Sequence, residues 1–208
     1  MTVVRSQRTL LFAALAALVA LGAVIPVFAG LRAKAGAPEF RTEYDEYFRK
    51  YAKHYFGVGT DWTWFKAQAV AESNLTPDAR SFAKARGVMQ LMPATYAELQ
   101  RKNPEIGNIE DPRWNIAAGI YYDHQLWSRL QDLLAEGERR RFMFGAYNAG
   151  PATIQRARRL AHAAGQTDYE WQGVVMVAPR VPQWRHQETL NYVSRIESIQ
   201  DRIRPEKR

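Results

Sequence analysis

From Phe40 onward the apolar and aromatic positions return every three or four residues, which is the spacing of helices that bury one face. Phe40, Tyr44, Tyr47, Phe48, Tyr51 and Tyr55 outline a first amphipathic helix closed by Gly57. A second runs from about Asp61, an expected N-cap, through Trp64, Phe65 and Val70 to Glu72. The stretch SNLTPDARSFAKAR that follows is turn-rich and irregular. Asp111 and Pro112 form an N-cap and first-turn pair that opens a long helix through Trp114, Ala117, Ala118, Tyr121, Tyr122, Leu126 and Leu130. Glu138 to Tyr147 reads as the next helix, stopped at Asn148 to Gly150, and Pro151 starts another that runs through Leu160. Thr189 to Ile203 repeats the spacing with Leu190, Val193, Ile196 and Ile199. Only Val174 to Ala178, VVMVA, looks strand-like, and it is too short to found a sheet. The fold class these patterns predict is all-α.

The N-terminus follows a different rule. Leu10 to Leu31 is an unbroken run of 22 residues with no charged or hydrogen-bonding side chain, preceded by Arg5 and Arg8. Such a run is a targeting or membrane signal, not part of a soluble fold. About 20 helical residues cross a hydrocarbon layer roughly 30 Å thick, so its length suits a transmembrane anchor. Val27 and Ala29 also fit the small-residue pattern for cleavage after Ala29, with Pro26 as a helix breaker before it, which keeps a cleaved signal peptide open. Either outcome places the folded part outside the cytoplasm, periplasmic or otherwise in the cell envelope. The segment RAKAGAP is linker-like, giving an expected organisation of signal or anchor at 1–31, linker at 32–38 and one domain at 39–208.

Charge and cysteine content narrow the chemistry. The formal net charge is +8, but residues 39–208 carry only half of it, too little to argue for a polyanionic partner. The runs Arg139–Arg141 and Arg156, Arg158, Arg159 read as solvated helix faces, and no nucleic-acid partner is expected. The absence of cysteine excludes disulfides, thiolate metal sites and a cysteine nucleophile. His54, His124, His162 and His186 form no pair at helical ligand spacing, so no metal site is expected. There is no G-x-S-x-G and no phosphate loop ending in G-K-[ST].

Glu72 is the candidate for acid–base chemistry. It ends the apolar stretch WTWFKAQAVAE, with Gln68 and Ala69 beside it on the same helix face. A carboxyl group partly withdrawn from water is harder to ionise, which suits a proton donor near neutral pH. A helix-end glutamate is also a common solvated or capping residue, so the position alone does not separate the two roles.

The context does more. AESNL is followed by GVMQLMP (Gly87 to Pro93), NIAAGIYY (Asn115 to Tyr122), GAYNAGP (Gly145 to Pro151) and ETLNYVSRI (Glu188 to Ile196). In this order the segments closely resemble the signature set of lytic murein transglycosylases with a goose-type-lysozyme-like domain, over roughly Trp62 to Ile199. The resemblance implies that Glu72 is the sole catalytic acid and base. It implies that Ser73 helps to position sugar and acid, that Gln90 and Met92 line the saccharide groove, and that Tyr147 points toward the carboxyl group while Asn148 holds nearby structure or substrate. Glu188 and Tyr192 would complete the far side of the cleft. Asn115 and Gly119 read as structural.

The resemblance also implies the reaction. One carboxyl group protonates the glycosidic oxygen between N-acetylmuramic acid and N-acetylglucosamine while the substrate's N-acetyl group stabilises the cationic centre. The carboxylate then takes the proton of the muramyl C6 hydroxyl, which closes onto C1 and leaves a 1,6-anhydromuramyl end. Ordinary glycosidases pair two carboxyl groups. Asp78 is the nearest second carboxyl in sequence, and it lies in an irregular stretch. No cofactor is implied, and the expected partners are peptidoglycan glycan strands, with the membrane as well if the N-terminal segment is retained. A hydrolase of the same fold and a non-catalytic glycan-binding or scaffold module remain the alternatives. Five of the six tryptophans, Trp64, Trp114, Trp127, Trp171 and Trp184, could stack on sugars or fill the core, and Gln166 to Gln187 would be a cleft-flanking loop.

Overall fold

The computed structural model of the chain describes residues 39–132 and 135–203. The expected signal or anchor at 1–31 and the linker at 32–38 lie outside the described residues. Among the described residues eight α-helices follow in order: α1 (Asp45–Phe56), α2 (Thr63–Ser73), α3 (Pro93–Lys102), α4 (Pro112–Ser128), α5 (Glu136–Ala149), α6 (Pro151–Ala163), α7 (Trp171–Val177) and α8 (His186–Ile203). A 3-10 turn at Ala178–Arg180 links α7 to the last connection. Among the described residues the only β structure is two isolated bridges, Arg80 with Arg86 and Arg86 with Leu91.

The helix ends show why the chain divides where it does. The Asp111 side chain accepts the Arg113 N–H at 2.9 Å and caps α4, with Pro112 at the first helical position. Asp61 takes the Thr63 N–H at 3.1 Å at the start of α2. Gly150 ends α5 and Pro151 begins α6 at once, so the two helices turn back on each other.

α2 packs on α8, α1 on α4, and α5 on α4, α6 and α8. Phe48, Phe65, Met89, Ile116, Ile120, Phe142, Phe144 and Ile196 are almost entirely withdrawn from water between them. Each such side chain contributes on the order of 1.5–3 kcal/mol relative to exposure.

Two elements depart from the sequence pattern. VVMVA does not extend: Trp171, Val174 and Val177 face the core three residues apart, while Met176 points to solvent, so the segment is one amphipathic face of α7 followed by the 3-10 turn. A short apolar run is compatible with strand or buried helix, and packing against α5 and α6 decides it. Within Gln166 to Gln187, α7 and the 3-10 turn seat on the core, with Trp171 edge-on to Phe142 and Trp184 buried, while 166–170 and 181–185 are irregular, and the second of these borders a hollow beside Asn148 and Glu188. α3, which no marked periodicity announces, buries Tyr96 and Leu99 and starts at Pro93.

The arginine runs are surface structure. The guanidinium groups of Arg139 and Arg140 lie 4.2 Å over the rings of Trp127 and Trp64, Arg141 pairs with Glu138 and Glu197, and Arg158 pairs with Asp132. Trp64, Trp114 and Trp127 are half-buried, whereas Trp171 and Trp184 belong to the core.

Candidate active site

Glu72 sits in the last turn of α2. Its carboxyl receives a hydrogen bond of 2.6 Å from the Tyr192 hydroxyl on α8. No Lys, Arg or His among the described residues forms an ion pair with it. Burial is the main influence on the carboxyl and pushes it up to about 7; the Tyr192 hydrogen bond and the charge of Arg195 oppose the shift, and Glu188 adds to it. A carboxylate at a helix C-terminus also meets the negative end of the helix dipole, which acts in the same direction as burial.

The chain beyond Glu72 is held in an uncommon conformation. Asn74 (φ 53°) and Leu75 (φ 60°) are both left-handed, and Leu75 is only 1 % exposed, so the turn is fixed by a buried side chain. Ser73 ties this turn to the next segment: its hydroxyl donates to the Val88 carbonyl at 2.8 Å and accepts the Thr76 N–H at 3.2 Å.

The Gly87 to Pro93 segment is anchored from behind by Asn115 of α4, which is completely buried. Asn115 Oδ1 accepts the Met89 N–H at 2.8 Å, and its Nδ2 donates to the carbonyls of Arg86 and Ile109 at 3.0 Å. Gly87 (φ 75°) has no room for a side chain, because an added Cβ would stand 2.4 Å from Asn115 Nδ2. At Gly119 an added Cβ would stand 2.7 Å from Met89 Cγ, so this glycine lets the Met89 side chain lie against α4. Asn115 and Gly119 thus have the structural roles expected of them.

The other residues singled out by sequence fall at four places. Tyr147 of α5 donates to the Met89 carbonyl at 2.8 Å, and its hydroxyl is raised well above the ordinary phenol range, first by burial and then by the Glu72 charge. Asn148 Oδ1 accepts from Thr189 Oγ1 at 2.8 Å, and Thr189 in turn accepts from the indole N–H of Trp184 at 2.9 Å, which joins the end of α5 to the start of α8. Tyr192 touches Glu72 directly, and Glu188, one turn earlier on α8, is exposed and paired with Arg185 at 2.9 Å. Met92 is 43 % exposed, which removes it from the core, whereas Gln90 (φ 45°) turns its amide back on its own loop, donating to the carbonyls of Ala79 and Gly87.

A hollow of about 220 Å³ lined by Asn148, Gln183, Trp184, Arg185, Glu188 and Thr189 adjoins this group on the α8 side. A larger one of about 380 Å³, between Phe56, Trp64, Trp127 and Arg140, contains none of these residues.

One functional-site neighbour was not anticipated. Asp78 is exposed, but Asp123 on α4 is completely buried and interacts by charge with Glu72, Tyr147 and Tyr192. The signal that marks it in the sequence is its place eight residues after Asn115 and four after Gly119, on the same face of α4.

The site thus joins a partly buried glutamate at a helix end, without a counter-ion, to a tyrosine from a distant helix within an all-α domain. The family described as transglycosylase SLT domain matches residues 46–169, and the chain belongs to that family. It is 32% identical over 150 residues to the membrane-bound lytic murein transglycosylase F of Shewanella pealeana, covering 72% of this chain and 29% of the relative. The corresponding protein of Pasteurella multocida is 36% identical over 132 residues, 64% of this chain and 26% of the relative. The chain thus spans less than a third of the length of these relatives. In structure it resembles the 70-kDa soluble lytic transglycosylase of Escherichia coli (TM-score 0.60, 24% identity, 79% of this chain and 24% of the other). It also resembles an inactive glutamate-to-glutamine variant of the lytic transglycosylase Slt of Pseudomonas aeruginosa (TM-score 0.59, 26% identity, 77% and 24%).

Proposed function

We propose that the protein is a peptidoglycan lytic transglycosylase in which Glu72 is the acid and then the base. The observation that carries this reading is the Glu72 carboxyl group, half-buried without a counter-ion at the end of α2 and raised to about 7, so that a protonated and an ionised form are both accessible near neutral pH. The protonated form gives its proton to the glycosidic oxygen between N-acetylmuramic acid and N-acetylglucosamine. That bond breaks, and the sugar's own N-acetyl oxygen supports the cationic C1. The carboxylate left on Glu72 then accepts the C6 hydroxyl proton as O6 closes onto C1. The same group ends the cycle protonated, and no water is consumed.

The neighbours take supporting roles. Tyr192 donates to the Glu72 carboxyl, so it orients the group and stabilises the anion formed after the first proton transfer. Ser73 and Tyr147, bonded to the carbonyls of Val88 and Met89, hold the Gly87 to Pro93 segment beside the acid. Met92 lines the saccharide groove on that side, with Gln90 holding the loop that carries it through its amide bonds to Ala79 and Gly87, and Asn148 and Glu188 border it on the other. The inactivity of the Pseudomonas aeruginosa relative's glutamate-to-glutamine variant fits a reaction that depends on one carboxyl group.

We place the domain at 39–208 in the cell envelope, delivered by the apolar run at 10–31 as an inner-membrane anchor or as a cleaved signal peptide. Relatives named as membrane-bound support that placement. Among the described residues no helix is long and apolar enough to cross a membrane.

Mass spectrometry of muropeptides released from purified peptidoglycan tests the proposal. The protein should release 1,6-anhydromuramyl ends and the Glu72→Gln variant should release almost none. Reducing ends would identify a hydrolase instead, and no release by the unaltered protein would favour a glycan-binding module.

A further inference from the structure

Gln68 lies one turn before Glu72 on α2, and its side chain meets Asp123 of α4 in the core. Both residues are 0 % exposed. Gln68 Nε2 donates to Asp123 Oδ1 at 3.3 Å, while Gln68 Oε1 and Asp123 Oδ2 have no hydrogen-bond partner. The two orphans are therefore an acceptor on each member of one pair. With Asp123 ionised, both would be left unsatisfied away from water, at on the order of 1–3 kcal/mol each and more for a charged group. One proton on Oδ2 changes the count, because a carboxylic acid and a primary amide can form a two-bond ring, N–H to Oδ1 and O–H to Oε1.

We propose that Asp123 is a neutral carboxylic acid and that its ring with Gln68 is the clamp that positions the helix turn carrying Glu72. This rests on the reading of Glu72 as the reacting acid. The surroundings of Asp123 agree. Burial drives its carboxyl well above the usual range, and the Glu72 charge adds to that effect. The titratable groups that act on it by charge or are acted on by it are Glu72 from α2, Tyr147 from α5, Tyr192 from α8 and Tyr122 from its own helix, none of them a cation. α1 and α3 also pack on α4, but their polar groups engage elsewhere: Tyr51 accepts from Arg113, Tyr55 stacks near Tyr121, and Lys102 reaches Gln125. No Lys, Arg or His among the described residues forms an ion pair with Asp123.

The clamp completes a stripe along α4. Asn115, Gly119 and Asp123 recur every four residues on one face. The first hydrogen-bonds the Met89 backbone, the second admits the Met89 side chain, and the third grips α2 through Gln68. Both walls that meet at Glu72, the Gly87 to Pro93 segment and α2, are thereby referred to the same rigid helix. Asp123 is a positioning residue, one step removed from the substrate.

Infrared difference spectroscopy on the full chain tests the protonation state without activity. In a Glu72→Gln background at neutral pH, the spectrum before minus after Asp123→Asn should contain the carbonyl band of a protonated carboxyl group; a carboxylate band in its place would overturn the proposal. Kinetics test the positioning role. Asp123→Leu should lower kcat about tenfold or more with KM kept, since small misplacement of a reacting group is costly. Asp123→Asn, whose amide can make both ring bonds, should recover most of that loss. The alkaline limb of its pH profile should stay in place. A limb displaced to lower pH would mean that an anion had been removed from beside Glu72, and an unchanged kcat in Asp123→Leu would remove the positioning role. Retained activity in Glu72→Gln would instead refute the assignment of the acid, leaving the infrared result to stand by itself.

Discussion

α2 carries two ionisable residues withdrawn from water, Lys66 almost wholly and Glu72 in part, less than two turns apart, and treats them in opposite ways. Lys66 is 3 % exposed and has a counter-ion, Asp45 of α1, at 2.6 Å. Around the same end of the helix Asp61 accepts from Thr63 and from Gln200 of α8, so every charge there meets an opposite charge or a donor. Glu72, at the other end, has a tyrosine hydroxyl but no cation in contact. The paired end can only be structure, because changing the protonation of either partner would strand the other. The unpaired end retains the option of being neutral or charged. The difference shows that burial of an ionisable group becomes chemistry when the compensating charge is withheld.

That contrast can be broken from either end. The largest effect belongs to Glu72→Gln, which should reduce turnover by about a thousandfold, the range for a lost general acid. The same variant should gain stability at high pH. The folded-state value near 7 lies above the ordinary 4.5, so between those values the native state holds a proton the unfolded chain has released, and wild-type stability falls as pH rises through that window. Above pH 7 the variant should exceed wild type by at most about 3 kcal/mol in denaturant unfolding.

Lys66→Met acts at the paired end. It strands Asp45 and should cost about 3–5 kcal/mol by denaturant titration, while activity per folded molecule is retained. Gly119→Ala pushes a methyl group against Met89 and should cost about 1–2 kcal/mol net of the better helix propensity. Tyr192→Phe sharpens the comparison most gently. It removes a hydrogen bond that favours the Glu72 anion, so the alkaline limb of the kcat profile should move to higher pH.

Much of this arrangement is legible in the sequence, for reasons that differ by element. α4 is announced by Asp111–Pro112 and the break between α5 and α6 by Gly150–Pro151, because caps and breakers act locally. The Val174 to Ala178 run at the end of α7 looks strand-like in the sequence, since five apolar residues in a row have no period, and only Trp171 packing on Phe142 shows which face is buried. Glu72 stands out through the series of segments around it, and the one residue from the far end of the chain that touches its carboxyl, Tyr192, is among those the resemblance marks. Gln90 shows the limit of such marks, for its residue type does not reveal that its amide is turned onto its own loop. Asp123 is missed because an aspartate after Tyr121 and Tyr122 looks like the polar edge of a helix, and only the folded structure shows it in the core against Gln68.

The most direct measurement is the titration of the Glu72 carboxyl itself, by carbon NMR of the protein labelled at the glutamate side-chain carboxyl carbon and assigned through Glu72→Gln. A midpoint near 7 is the predicted result. A midpoint at or below the ordinary 4.5 would mean that Glu72 is ionised throughout the neutral range, and that the unpaired end of α2 is not the proton donor.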